Sequence, residues 1–523
     1  MKVVAVLLVA LAITALPATS VNAEVGEPFR IGVYLYENHF EAAAREHGQK
    51  YADFLDEHLR ILRDHGVNAI YLGATTRERF DDHLRLAGKH GMKLIPQLDF
   101  AYFQPDWSAD QMDVSARAAG EFIHRYRDEA RVLAWSVREE VPHAAVGALA
   151  RYYATILKHA PGARFNLVHN QIEAARDQPA PHPSIIGTDR YAFWFEVSGG
   201  GYLASPAFAL DWTRQEAARY FDEAERRGAD FMLVVTQGGL LMPQWANQIV
   251  ADPRAAGVPG NDDEREQVRR RVLRFAEDGR MGWRKVDLGG GDVRYNFWKY
   301  YRLPHNCMRA LAWTSVLEGA KLFFVWSYAP PLPSELALGA ASAATQPSPR
   351  HEFNWITLAG RPGLPNPQLE ELAEASREIR AYERVIVAMR KVGESPIACE
   401  QSGIHHRAFR LPETPGYIVV LHNANVGRWR HDSRRMFNED DDVRIDDAGN
   451  LVGYVAFTEP AKVRFTLGLA ARQAGFGVFD VRNGQPLAPD ANGVFSTPAN
   501  PGSGTLVYVG SAEGSRRVKA GVH

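Results

Sequence analysis

Cys307 and Cys399 are the only cysteines in 523 residues, so a framework of disulfides is not what holds this chain together. The two are free to pair or to stay apart, and a body of this size has no need of the staple. Charge of neither sign is in excess: 60 Lys and Arg against 62 Asp and Glu leave a formal net charge of -2. That removes the usual argument for nucleic acid or an anionic membrane as partner. After the first two dozen or so residues, no apolar run nears the ~20 residues that span a bilayer. The 18 histidines include no H-E-x-x-H pair or comparable ligand cluster. A G-x-S-x-G elbow is missing as well, and the glycine runs lack the strand and helix of a phosphate cradle. These residues give no reason to expect a metal or a cofactor.

What is present starts at the N-terminus. Lys2 precedes the apolar run VVAVLLVALAITALPA and then VNA, with Val21 and Ala23 placed as a cleavage signal requires. Residues 1–23 therefore read as a secretory signal peptide, and the mature chain is expected to begin near Glu24. The expected location is outside the cytoplasm, periplasmic or extracellular. A composition of 46% hydrophobic and 23% charged residues suits one large globular domain with a smaller one attached.

Beyond the signal, short β-branched runs alternate with stretches of helical period. The expected strands are FRIGVYLY, VNAIYLG, KLIPQLDF, VLAWSVRE, RFNLVHN, IIGTDRY, FMLVVTQ and KLFFVWSY, first to eighth. Between the first two, Tyr51, Phe54, Leu55, Leu59 and Leu62 fall at helical spacing and Gly66 closes the helix. Comparable stretches run from Asp113 to Arg127, Ala144 to His159, Thr213 to Arg227 and His305 to Glu318. Eight parallel strands with intervening helices predict a (β/α)8 TIM barrel over residues 24–390. Long connections from Gly199 to Leu210 and from Leu240 to Leu303 follow strands, where a barrel keeps its chemistry. Past Lys391 the runs GYIVVLHN, KVRFTLGL, FGVFDVRNG and GTLVYVG predict a C-terminal antiparallel β-sandwich over 391–512, with 513–523 as a tail.

In a barrel, side chains at the C-terminal strand ends converge on one bowl. Those expected there are Tyr36, Glu37, Asp99, Glu139, Glu140, His169, Asn170, Asp189, Tyr191, Gln237, Trp326 and Tyr328, with Trp107, Trp194, Phe195, Trp212 and Trp245 in the loops. Carboxylates among aromatic rings suit carbohydrate: rings stack on the apolar faces of sugars, and acids serve the glycosidic oxygen. Adjacent carboxyls such as Glu139 and Glu140 raise one another's proton affinity, as a general acid requires. Strand alternation, however, sends neighbours to opposite faces, so one of the two is expected to face the bowl squarely.

Trp135 followed five positions later by Glu140 resembles the fourth-strand signature of the glycosidase superfamily that includes barrel-type microbial β-galactosidases. The segment MRALAWTSVLEGAKLFFVWSY, ending near Trp326, is similar to the last helix and eighth strand of those enzymes, and GTDRYAFW resembles an Asp-x-Tyr element of related barrel glycosidases. The resemblance spans roughly Phe29 to Pro330. It implies that Glu140 is the acid/base, that Glu139 occupies the position of a sugar-binding Asn, and that Trp326 faces substrate.

The seventh strand departs from the pattern, offering Thr236 and Gln237 where the superfamily has its nucleophilic Glu. Three readings stay open. Asp189, with Asp99 or Glu37 behind it, supplies the second carboxylate; or a substrate acetamido group attacks; or the barrel binds glycan without cleaving it. The leading expectation is an exported glycoside hydrolase acting on a poly- or oligosaccharide. Glu140 is then the general acid/base and Asp189 its partner. Tyr36, Glu37, Asp99, Glu139, His169, Asn170, Tyr191, Trp194, Gln237, Trp245, Trp326 and Tyr328 bind substrate. The alternative is a non-catalytic carbohydrate-binding barrel.

Overall fold

A computed structural model describes residues 28–522 apart from 192–196, 199–201, 204–205, 242–248, 256–259, 278–282, 288–292, 298, 334–357, 360–365, 413, 430–443 and 446–450. The expected signal peptide, the loop tryptophans Trp194 and Trp245, and Phe195 lie outside the described residues.

Seven parallel strands form one sheet: Arg30–Tyr36, Ala69–Thr75, Lys93–Leu98, Asn166–His169, Ile185–Thr188, Asp230–Thr236 and Leu322–Trp326. They match the expected strands in order, with no named strand at the fourth position, between Lys93–Leu98 and Asn166–His169. Residues 132–136 fill it. Leu94 and Gln97 bridge Val132 and Ser136 on one side, and Trp135 bridges Phe165 on the other, all parallel. Because the first strand also pairs with the eighth, the sheet closes on itself as a (β/α) barrel.

The helices lie where the 3.6-residue period put them, with ends moved by capping chemistry. Ala109–Arg125 starts earlier than expected because Ser108 and Gln111 form a reciprocal capping box. Pro206–Arg227 takes over the end of the expected Gly199 to Leu210 loop, with Pro206 at its first position. Gly66, at φ 82°, ends Tyr51–Asp64, and a Cβ there would fall 2.2 Å from Ser376 Oγ.

Alternation divides the barrel residues into two sets. Tyr34, Tyr71, Ile95, Ala134, Val168, Ile185, Met232, Val234, Leu322 and Phe324 pack together inside, with Tyr36, Tyr191 and Trp326 above them. Their neighbours, among them Val33, Ile70, Leu94, Trp135, Leu167, Ile186, Leu233 and Phe323, pack outward against the helices.

The C-terminal part holds a five-stranded antiparallel sheet, with Arg390–Lys391, Ile404–Leu411, Thr414–Asn423, Gly504–Gly510 and Gly477–Asp480 in that order. A three-stranded one comprises Ile397–Ala398, Lys462–Leu467 and Phe495–Pro498. One face of the larger sheet, with Phe409, Ile418, Val420, Leu506 and Tyr508, joins the barrel's outer core. Its other face, with Ala408, Val419, Leu421, Val507 and Val509, shares a cluster with Val463, Phe465 and Phe495 of the smaller sheet. Where a tail was expected, Ala512–Val522 is a helix that buries Val518 in the outer core. Among the described residues no helix is long and apolar enough to cross a membrane.

The two parts are joined by charge as well as by apolar area. Glu318, fully buried just past helix Cys307–Leu317, meets the guanidinium of Arg407 from the large sheet at 2.7 Å. Arg407→Leu leaves that carboxylate without its nearest cation and is expected to cost of order 3 kcal/mol. Thermal unfolding checks this: the single variant melts several degrees lower, whereas the Glu318→Leu/Arg407→Leu pair recovers much of the loss.

Candidate active site

The fourth position supplies the central carboxyls because its chain stops being a strand. After Ser136 the backbone bends, Val137 accepts from Phe103 N–H at 2.8 Å, and Glu140 donates its N–H to Val168 O at 2.9 Å. Glu140 has φ 49°, in the left-handed region a side chain rarely occupies. This turn overturns the expectation that one of the adjacent glutamates faces the bowl and the other does not. Alternation applies only while the strand continues, and here both carboxyls reach the site.

Glu139 is the deeper of the two. Tyr34 donates its phenol proton to Oε1 at 3.0 Å, and Gln97 Nε2 reaches Oε2 at 3.4 Å. Burial, aided by the Glu140 charge, pushes its carboxyl up to about 7 against the hydrogen bonds from Tyr34 and Tyr71. Glu140 is exposed at the mouth.

Asp189 follows the sixth strand and keeps the inward parity of Ile185. Burial first, then the Glu140 carboxyl within hydrogen-bonding reach, then Glu139, hold Asp189 well above the ordinary carboxylate range. Its Oδ1 is buried without a donor, as expected of two acceptors that face each other and satisfy one another only by sharing a proton. Asp189 is therefore brought within hydrogen-bonding reach of Glu140.

An aromatic wall stands next to the pair. Trp326 stacks on Tyr191 with ring centres 5.8 Å apart and planes at 12°, and its Nε1 donates to Tyr36 OH at 2.9 Å. Burial and the surrounding carboxyls push the Tyr36 and Tyr191 phenols upward, so both remain hydrogen-bond donors.

The structure thus brings together Tyr36, Glu139, Glu140, Asp189, Tyr191 and Trp326. Other expected ligands are elsewhere. His169 has the parity of Leu167, not of inward Val168, and lies beside Arg227 and Gln178 in the helix layer, where burial pushes it down to about 3. Tyr328 packs on Phe40 and hydrogen-bonds His58 Nδ1 at 2.8 Å, outside the barrel. Glu37 is 3% exposed and takes Thr76 N–H and Oγ1–H on its two oxygens, at 2.9 and 2.6 Å, tying down the loop after the second strand. Asp99 is exposed at the start of a short 3-10 turn, and Asn170 is exposed just beyond His169. Gln237 is fully buried, with neither amide atom hydrogen-bonded among the described residues. Trp107 packs on Phe103 and Tyr152 in the outer layer, and Trp212 lies under the Arg190 guanidinium.

Tyr34, Tyr71, Gln97, Tyr102 and Arg138 belong to the site although they were not among the strand-end candidates. Tyr34 and Tyr71 stack at 4.1 Å, Tyr71 donates to Ser136 Oγ at 2.8 Å, and Arg138 lies 4.8 Å over the Tyr102 ring. Inward parity was the available signal for Tyr34 and Tyr71, which sit on the inner face in mid-strand. Among the described residues no group of three or more His, Cys, Asp and Glu side chains is arranged to hold a metal ion.

No protein-family model matches the sequence, and no curated protein does. Solved structures similar to it include a glycoside hydrolase family 5 mannosidase from Rhizomucor miehei, at 10% identity and TM-score 0.35, covering 67% of this chain and 93% of that one. An α-amylase from Malbranchea cinnamomea is 11% identical at TM-score 0.39, covering 92% and 96%. A GH2 β-galacturonidase from Eisenbergiella tayi is 12% identical at TM-score 0.34, covering 66% of this chain and 50% of that one. Likeness this remote says nothing of activity, which has to be argued from the site.

Two expectations follow from the carboxyls. A left-handed backbone costs a side chain about 1–2 kcal/mol that glycine avoids, so Glu140→Gly is expected to melt no lower than the wild type, whereas Glu140→Val melts lower. Glu139 binds its proton more tightly folded than unfolded, so it makes folding less favourable as pH rises from its ordinary value of 4.5 to about 7. Calorimetry of Glu139→Gln should show its melting temperature rising relative to wild type between about pH 4 and about pH 8; a relative fall contradicts the assignment.

Proposed function

We propose that this protein is an exported glycoside hydrolase acting on a poly- or oligosaccharide. The observation that carries the reading is the Glu140–Asp189 carboxyl contact beside the Tyr191–Trp326 stack at the mouth of the barrel. A sugar ring laid on the aromatic wall places its glycosidic oxygen above an exposed acid whose neighbour shares a proton with it.

Glu140 gives that proton to the glycosidic oxygen as the bond to the anomeric carbon breaks, and the bonding electrons leave with the oxygen. Asp189 shares that proton with Glu140 until the transfer and is a carboxylate after it. The proton returns from the water that completes hydrolysis. In this reading Asp189 is the acid's neighbour, and the attacking group is water or an acetamido oxygen of the substrate. Comparison of 2-acetamido with 2-hydroxy aryl glycosides separates the two. The paired C-terminal sheets are read as a sandwich that supports the barrel.

Gln237 favours the competing reading, a barrel that binds glycan without cutting it, because it puts an amide where the resemblance calls for an acid. The two readings separate on a panel of polysaccharides and aryl glycosides. Hydrolysis is expected, with kcat falling about 10²–10⁴-fold in Glu140→Gln and substantially in Asp189→Asn. Full activity in Glu140→Gln removes it as the acid; tight binding with no product from the wild type favours the binding barrel.

A further inference from the structure

We propose that Glu139 is a positioning residue: clamped by Tyr34, Tyr71 and Gln97, its carboxyl governs how firmly the Glu140–Asp189 pair holds its proton. The inference rests on reading that pair as the acid of the site.

The clamp is built from three strand positions. Tyr34 donates to Oε1 from the first strand at 3.0 Å. Gln97 on the third can turn its amide only one way, because its Oε1 accepts Ala74 N–H at 3.3 Å. Its NH2 must then face Glu139 Oε2 at 3.4 Å and Tyr71 OH at 3.2 Å. Tyr71, on the second strand, is stacked on Tyr34 and within hydrogen-bonding reach of the same carboxyl. Tyr34 and Gln97 donate to Glu139 while Tyr71, its proton on Ser136 Oγ, holds the Gln97 amide in place, so the clamp favours a charged carboxylate that burial and Glu140 oppose.

The charge on Glu139 faces Tyr34 and Tyr36 from the first strand, Tyr71 from the second and Tyr102 after the third. Arg138 and Glu140 face it from its own segment, and Asp189 and Tyr191 from beyond the sixth strand. The phenols are all pushed upward by burial and stay protonated. The groups left to exchange protons with a change in Glu139 are Glu140 and Asp189. An ionised Glu139 makes their shared proton harder to lose, so it keeps the acid loaded to higher pH. Neutralising Glu139 lets the pair discharge earlier.

Two variants test this, Glu139→Gln and Tyr34→Phe, the second removing one clamp hydrogen bond without touching a carboxyl. Infrared difference spectra of the carboxyl bands, with Asp189→Asn to identify its band, follow the pair's titration with no substrate present; the pH profile of kcat follows it in turnover. Glu139→Gln is expected to lower the pair's midpoint by about one pH unit and to bring the alkaline limb of kcat down with it. Tyr34→Phe, by making Glu139 easier to protonate, moves both in the same direction by less. An unmoved midpoint in both variants overturns the proposal. Cleavage that persists with an unmoved midpoint defeats the inference but leaves the hydrolase reading standing. A wild type that cleaves no glycoside defeats that reading, while the infrared arm still shows whether Glu139 controls the pair.

Discussion

Carboxyl groups set side by side under a low-dielectric rim cannot all be charged at neutral pH, and the barrel mouth holds three. Asp189 is driven toward its protonated form by burial and by Glu140, and Glu139 is pushed up to about 7 by burial despite the donors arranged on it. A general acid needs such a retained proton near the working pH. The surrounding phenols, the Gln97 amide and Arg138 decide which carboxyl keeps it.

The fold makes this crowding possible by giving up a strand. Residues 132–136 contribute only bridges to the ring, which then bends at Val137 and turns left-handed at Glu140. A continuing strand would send Glu139 outward into the helix layer beside Trp135 and Val137. The irregular fourth position therefore closes the barrel with its first half and delivers two acids to one bowl with its second. Such strain is characteristic of functional sites, and the Glu140 N–H bond to Val168 O keeps the turn in place.

The barrel was legible because both of its periods were intact: apolar runs of strand length alternated with stretches such as Phe54, Leu55, Leu59 and Leu62, which the helix buries as expected. Site residues were legible where parity and strand end coincided, as for Tyr36, Asp189 and Trp326. Where only the strand end was considered, the expectation failed: His169 closes its strand with outward parity, and Tyr328 lies two residues past the end of its strand, where alternation no longer applies. Tyr34 and Tyr71 escaped notice for the opposite reason, being inward but in mid-strand. The joint action of Glu139 and Glu140 could not be read, because it depends on a left-handed residue where no glycine marks the turn. Trp194 and Trp245 lie outside the described residues.

The central claim is that one bowl presents a proton to a sugar held on an aromatic wall. A crystal structure of the Glu140→Gln protein soaked with an oligosaccharide that the wild type cleaves tests it most directly. The account predicts a sugar ring stacked on Trp326 and a glycosidic oxygen about 3 Å from the side chain at position 140. A sugar seated elsewhere, or one whose glycosidic oxygen points away from position 140, contradicts it.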